Sequence, residues 1–110
     1  MASNTFTKIA TVTVGSGGTS SIDFTSIPST YTDLAIYFSG RQSTDDLAIN
    51  MSFNNDTTSN IYSQRNIYGT GSATGSGNQT FSTLQPWATA RSGATASVFG
   101  NTFIYIPNYT

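Results

Sequence analysis

Five aspartates, Asp23, Asp33, Asp45, Asp46 and Asp56, are the only acidic side chains in this 110-residue sequence, and Lys8, Arg41, Arg65 and Arg91 are the only cations. There is no His, no Cys and no Glu. That removes the commonest general base, the usual zinc ligands and the thiol nucleophile together. Asp45 and Asp46 are adjacent, so in an extended segment their side chains diverge and do not form the carboxylate pair that glycoside hydrolysis needs. Asp45, Asp46, Asn54, Asn55 and Asp56 offer oxygen donors that a hard cation such as calcium accepts. Their spacing follows no metal loop, and Asn54-Asn55-Asp56-Thr57 is more economically a turn. No metal, no cofactor and no catalytic residue are therefore expected. Arg41 is expected to pair with Asp45, Asp46, Asp56 or a neighbouring chain. Asp33 is excluded as its partner because eight residues of strand separate the two by roughly 26 Å. Gly15-Ser16-Gly17-Gly18 lacks the following Lys and helix of a phosphate loop, and reads as a hairpin turn. Trp87, the one tryptophan, is a candidate for stacking on a sugar or a partner, with plugging of a sandwich core as the plainer alternative.

The elements that would carry these residues are strands. Period-two alternation is clearest in Leu47-Ala48-Ile49-Asn50-Met51-Ser52-Phe53 and recurs in Leu34-Ala35-Ile36-Tyr37-Phe38. These two runs are expected to pair antiparallel. Residues 8–14, with Ala10, Val12 and Val14 on one face, are expected to form a hairpin with the run holding Ile22 and Phe24. Ile27-Pro28-Ser29 predicts a corner. Ile61 to Tyr68, Phe81 to Leu84, Ala94 to Phe99 and Phe103 to Ile106 complete the predicted strands. The stretch from Gly69 to Asn78, nearly all Gly, Ser, Thr and Ala, predicts a loop. No window shows helical periodicity, and β-branched and aromatic residues dominate. The pattern predicts one all-β domain over residues 1–110, an antiparallel β-sandwich of jelly-roll type. Val12, Val14, Phe24, Leu34, Ile36, Phe38, Ile49, Met51 and Phe53 are its expected core.

Composition narrows the partners. Only 8% of residues are charged, against roughly 25% in an average domain. Yet seven Phe, six Tyr and one Trp are too many aromatics for a disordered chain. The cations lie far apart and the net charge is −1, so nucleic acid and anionic membrane are excluded as partners. No apolar run reaches the roughly 20 residues of a membrane span. The first residues lack a basic start followed by an apolar stretch, which predicts synthesis and assembly in a cytoplasm.

Residues 9–18, Ile-Ala-Thr-Val-Thr-Val-Gly-Ser-Gly-Gly, and residues 22–34, Ile-Asp-Phe-Thr-Ser-Ile-Pro-Ser-Thr-Tyr-Thr-Asp-Leu, carry a resemblance. It continues through Ser39-Gly40-Arg41 and Phe53-Asn54-Asn55-Asp56-Thr57, and more loosely to Ile106-Pro107-Asn108-Tyr109. Over nearly the whole chain the sequence resembles a family of virion structural proteins of tailed phages from marine and freshwater hosts. The resemblance implies a β-sandwich and a place in the virion, assembled in the host bacterium. Similar proteins run on for further strands past the position of Tyr109. The expectation is therefore either a shortened version or one whose last strands a neighbour supplies.

Together these readings predict a non-enzymatic particle protein, a capsid decoration or a small fibre or knob, that acts by burying surface between copies. A homo-oligomer, with a trimer as first expectation, and other phage particle proteins are the expected partners. Phe103, Tyr105, Tyr109 and Trp87 are the interface candidates. The alternative is a tail-fibre receptor-binding module that recognises a host-surface glycan through exposed aromatics.

Overall fold

The computed structural model describes residues 5–45, 49–86 and 89–109. Among them regular structure is entirely β: β1 (Leu34–Gly40), β2 (Tyr62–Gly69), β3 (Thr74–Phe81) and β4 (Gly100–Ile106). The strands pair antiparallel as two two-stranded sheets, β1 with β4 and β2 with β3. The all-β class follows from the alternation and from the scarcity of helix formers. Two compact units divide the chain, one of Met1–Leu34 with Pro107–Thr110 and one of Ala35–Ile106.

In the second unit the best-defined element is the β2–β3 hairpin, and its sequence explains why it forms. Its register places Tyr62 opposite Phe81, Gln64 opposite Gln79, Asn66 opposite Gly77 and Tyr68 opposite Gly75 on one face. A Cβ at Gly75 would lie 2.6 Å from the Tyr68 hydroxyl, and one at Gly77 would lie 2.5 Å from Asn66 Oδ1. The two glycines are the hollows into which the longer cross-strand side chains fold. The reversal is a two-residue loop, Gly71-Ser72, between Thr70 and Ala73. The Thr70 N–H donates to the Ala73 carbonyl at 2.8 Å, and the Ala73 N–H donates to Thr70 Oγ1 at 3.1 Å. Gly71 sits at φ +86°, as the first central position of a type II′ turn requires. The expectation of a loop from Gly69 to Asn78 is therefore corrected. Small side chains there lower strand propensity, but cross-strand packing outweighs it.

The β1–β4 sheet corrects a second expectation. The partner of Leu34–Phe38 is β4, not the run from Leu47 to Phe53. Leu47 and Ala48 lie outside the described residues. Met51 instead makes one antiparallel bridge with Leu84, its N–H and carbonyl both bonded at 2.8 Å. The run then ends in a turn where Asn54 and Asn55 take φ +52° and +56°, conformations that Asn tolerates. The strand expected from Phe81 to Leu84 stops at Phe81. The one expected from Ala94 to Phe99 is a succession of turns, with Ser97 at φ +63°. Its carbonyls are taken by a side chain, as described below, and so cannot serve a ladder.

In the first unit the Gly15–Gly18 reversal forms, with the Gly18 N–H donating to the Gly15 carbonyl at 3.0 Å. The expected ladder between residues 8–14 and the run holding Phe24 does not. Val12, Val14 and Phe24 are exposed rather than buried, because no sheet lies against them in their own unit. Leu34 alone among the described apolar residues is buried, at 9% exposure. Ile36, Phe38, Ile49 and Met51 are half-buried, and Phe53 is exposed.

Gly71→Ala should destabilise the hairpin by about 1–2 kcal/mol, the cost of a left-handed conformation for a residue with a Cβ. Gly69→Ala, where a Cβ meets nothing within 4 Å, should cost far less. Urea unfolding of the two variants checks the difference.

Candidate functional site

The β1–β4 sheet has two unlike faces. Ile36 and Phe38 of β1 and Thr102, Ile104 and Ile106 of β4 point to one side and are half-buried. The alternation that puts them there turns Tyr37, Ser39, Asn101, Phe103 and Tyr105 to the other side, and every one of these is exposed. Tyr37 is 76% exposed, Phe103 54% and Tyr105 52%. The Tyr37 and Phe103 rings lie with centroids 4.9 Å apart, tilted by 38°, a favourable offset geometry for aromatic pairs. The face carries no charged side chain. Exposed apolar patches without charge are uncommon on monomeric proteins.

This face contains two of the interface candidates, Phe103 and Tyr105, and adds Tyr37 and its neighbours Ser39 and Asn101. Tyr37 was hidden in the sequence because its run was read for its even positions, Leu34, Ile36 and Phe38. The same alternation assigns Tyr37 to the opposite face, which is the signal that finds it. Tyr109 behaves differently. Its hydroxyl donates to the Ile27 carbonyl at 3.2 Å and its N–H to the Thr32 carbonyl at 2.7 Å. The Asn108 N–H donates to Asp33 Oδ1 at 3.0 Å. Tyr109 is thus half-buried and fastens residues 107–109 within the first unit. Trp87 lies outside the described residues.

Behind the strands, Arg41 holds a loop in place. Its Nη1 donates to the carbonyls of Thr95 at 2.9 Å and Val98 at 3.4 Å, and its Nη2 to those of Ser92 at 2.8 Å and Ala94 at 2.9 Å. Backbone bonds from Gln42 N to the Ala90 carbonyl at 2.8 Å and from Ser92 N to the Thr44 carbonyl at 3.0 Å fix the approach. The expected partner of Arg41 is Asp45, Asp46, Asp56 or a neighbouring chain. Among the described residues the structure gives its planar fork of N–H donors four backbone carbonyl oxygens of residues 92–98 instead. Asp45 approaches Arg91 at 3.9 Å in a largely exposed pair, and Asp46 lies outside the described residues.

Asp56 closes the turn after Phe53. Its Oδ1 accepts the Thr58 N–H at 3.0 Å and the Thr58 hydroxyl at 2.7 Å. These two bonds, the backbone one first, hold its carboxyl below the ordinary value. The Tyr62 hydroxyl donates to the Asp56 carbonyl at 3.0 Å and accepts the Phe53 N–H at 3.0 Å. Asp56, Asn54 and Asn55 thus build a turn. Among the described residues no three Asp side chains gather.

An open apolar depression of about 320 Å³ is lined by Met51, Ile67, Tyr68, Leu84, Pro86 and Ile104 among others. It borders the half-buried side of β4 through Ile104. The chain matches no protein-family model, no curated protein and no solved structure.

Arg41→Ala should lower stability by about 1.5–3 kcal/mol, because it leaves several carbonyls of residues 92–98 without the charged donor. Arg41→Lys should recover little of this, since an ammonium cannot span the four oxygens. Asp45→Asn should change stability by less than about 0.5 kcal/mol, as befits an exposed pair. Chemical denaturation of the three variants separates the cases.

Proposed function

We propose that this chain is a non-enzymatic structural subunit of a tailed-phage particle, a capsid decoration or a small fibre or knob, that works by burying surface against other copies. The observation that carries the reading is the outward face of the β1–β4 sheet, which bears Tyr37, Phe103 and Tyr105, 76%, 54% and 52% exposed, and no charged side chain. The exposed Tyr37, Phe103 and Tyr105 lie where an interface core would form, and low charge removes the desolvation penalty of closing it.

The virion setting rests on the resemblance of residues 9–34 and of the motifs after them to virion structural proteins. The non-enzymatic reading rests on the missing His, Cys and Glu and on the spread of the described aspartates among turns and backbone bonds. A β-sandwich is then a property of the assembly, with the two-stranded sheets of one copy completed by those of its neighbours. Two-stranded ladders are marginal in water by themselves, which supports the same view.

A host-surface glycan is the second reading. The Tyr37–Phe103 pair, flanked on its face by Ser39 and Asn101, offers a ring-sized platform with hydrogen-bonding groups beside it.

Sedimentation velocity tests the two. The full chain should sediment as an oligomer at micromolar concentration, and Phe103→Asp, which places a charge in the centre of the face, should shift it to monomer. A monodisperse wild-type monomer at high concentration, with binding to a bacterial surface glycan that Phe103→Asp abolishes, would contradict assembly and support the glycan reading.

A further inference from the structure

Beside the start of β4, an open depression of about 520 Å³ is lined by Asp45, Thr89, Arg91, Ala94, Val98 and Phe99 among others. All of these residues belong to the second unit, and none belongs to the face that carries Tyr37, Phe103 and Tyr105. The volume falls within the range of small-molecule sites, roughly 300–1,000 Å³. Its wall is braced. Ser92, Ala94, Thr95 and Val98 give their carbonyls to Arg41, and Gln42 N and Ser92 N are bonded to the carbonyls of Ala90 and Thr44. The Ala94 N–H donates to the Arg91 carbonyl at 3.1 Å. A lining held in this way is preorganised, so a ligand does not have to order it on binding.

The lining sets one aromatic ring beside two opposite charges. Phe99 is 57% exposed. Arg91 Nη1 and Asp45 Oδ1 stand 3.9 Å apart, and their side chains are 42% and 74% exposed. That separation is beyond a hydrogen bond, so both groups keep donors and acceptors for a third molecule. Gly93, also in the lining, leaves room next to the carboxylate: a Cβ there would meet only Asp45 Oδ1, at 3.8 Å. Thr89 is 8% exposed, and its hydroxyl has no hydrogen-bond partner among the described residues. Buried polar groups rarely stay in that state, so the polar groups of this wall are not all satisfied within the chain.

We infer that this depression binds one neutral sugar residue, with a C–H face of the ring on Phe99 and adjacent hydroxyls on Asp45 and Arg91. The ligand class follows from the charges. An anion gains from Arg91 and loses to Asp45 a few ångströms away, and a cation does the reverse. A hydroxyl suits both, since it donates to a carboxylate and accepts from a guanidinium, and two neighbouring hydroxyls satisfy the pair at once. A purely apolar ligand would cover the two charges without bonding them, at a cost in desolvation. The aromatic ring then supplies the contact that a sugar's apolar face needs. The inference does not rest on the assembly reading, and its site shares no residue with the glycan platform at Tyr37 and Phe103.

Saturation-transfer difference NMR on the full chain tests it, with the methyl glycosides of glucose, galactose, mannose and N-acetylglucosamine as probes. At least one should show saturable transfer to its ring C–H protons, with a Kd of about 1–10 mM. Phe99→Ala should weaken that binding at least about tenfold and Phe99→Tyr should retain it. Asp45→Ala and Arg91→Ala should each weaken it about tenfold, the loss of a hydrogen bond to a charged group. Phe103→Asp should leave it unchanged. Binding that Phe103→Asp abolishes and Phe99→Ala spares would place the sugar on the other face and overturn the inference. Transfer to free glycine but to none of the four glycosides would show that the charged pair takes a zwitterion, and no transfer to any probe would show that the depression takes no sugar; either result overturns it as well.

Discussion

Two-stranded ladders bury too little apolar surface to hold a chain together, and this chain contains two of them and no larger sheet among its described residues. Folding must offset about 1–2 kcal/mol of backbone entropy for each residue fixed, chiefly through apolar burial at roughly 25 cal/mol per Å². Among the described apolar residues Leu34 alone is buried, and in the proposed account contacts between copies supply the rest of that burial. The other features follow from this constraint. Tyr37, Phe103 and Tyr105 form an exposed aromatic face, residues 7–14 belong to no strand, and an open apolar depression lies beside Ile104. In the proposed account other copies cover these surfaces.

Order within a chain of this composition comes from specific polar bonds. With 8% charged residues there are few ion pairs to use, and the one pair between Arg91 and Asp45 is long and exposed. Arg41 instead spends its guanidinium on the carbonyls of Ser92, Ala94, Thr95 and Val98. One side chain thereby converts a Gly/Ala/Ser/Thr segment, poor in packing groups, into a defined succession of turns leading into β4. Asp56, Thr58 and Tyr62 do the same for the turn that leads into β2. Both devices direct a charged group to nearby backbone.

Alternation locates β1 and β2 to within about two residues of their ends, but finds only Phe103–Ile106 of β4, which begins at Gly100. It failed for β3, whose alternation is between glycine and small polar residues. There the information resides in the partner strand, where Tyr68 and Asn66 need the hollows at Gly75 and Gly77. Pairing was also out of reach. Nothing local distinguishes β4 from the run ending at Phe53 as the partner of β1, since the two are separated from it by very different lengths of chain and both alternate. The alternation of residues 8–14 is legible, yet they belong to no strand among the described residues. Phe103 and Tyr105 stand out in the sequence as interface candidates, whereas Tyr37 emerges only once β1 and β4 are side by side.

The central claim is that surface lost to other copies completes this fold, so stability must depend on how many copies are present. Anything that binds the native chain and not the unfolded one stabilises it by mass action, and here the ligand is the protein itself. The direct measurement is the thermal unfolding midpoint of the full chain across a hundred-fold range of concentration. The account predicts that the midpoint climbs with concentration, in step with the fraction assembled by sedimentation. A midpoint that stays constant across that range in a chain that remains monomeric would contradict it.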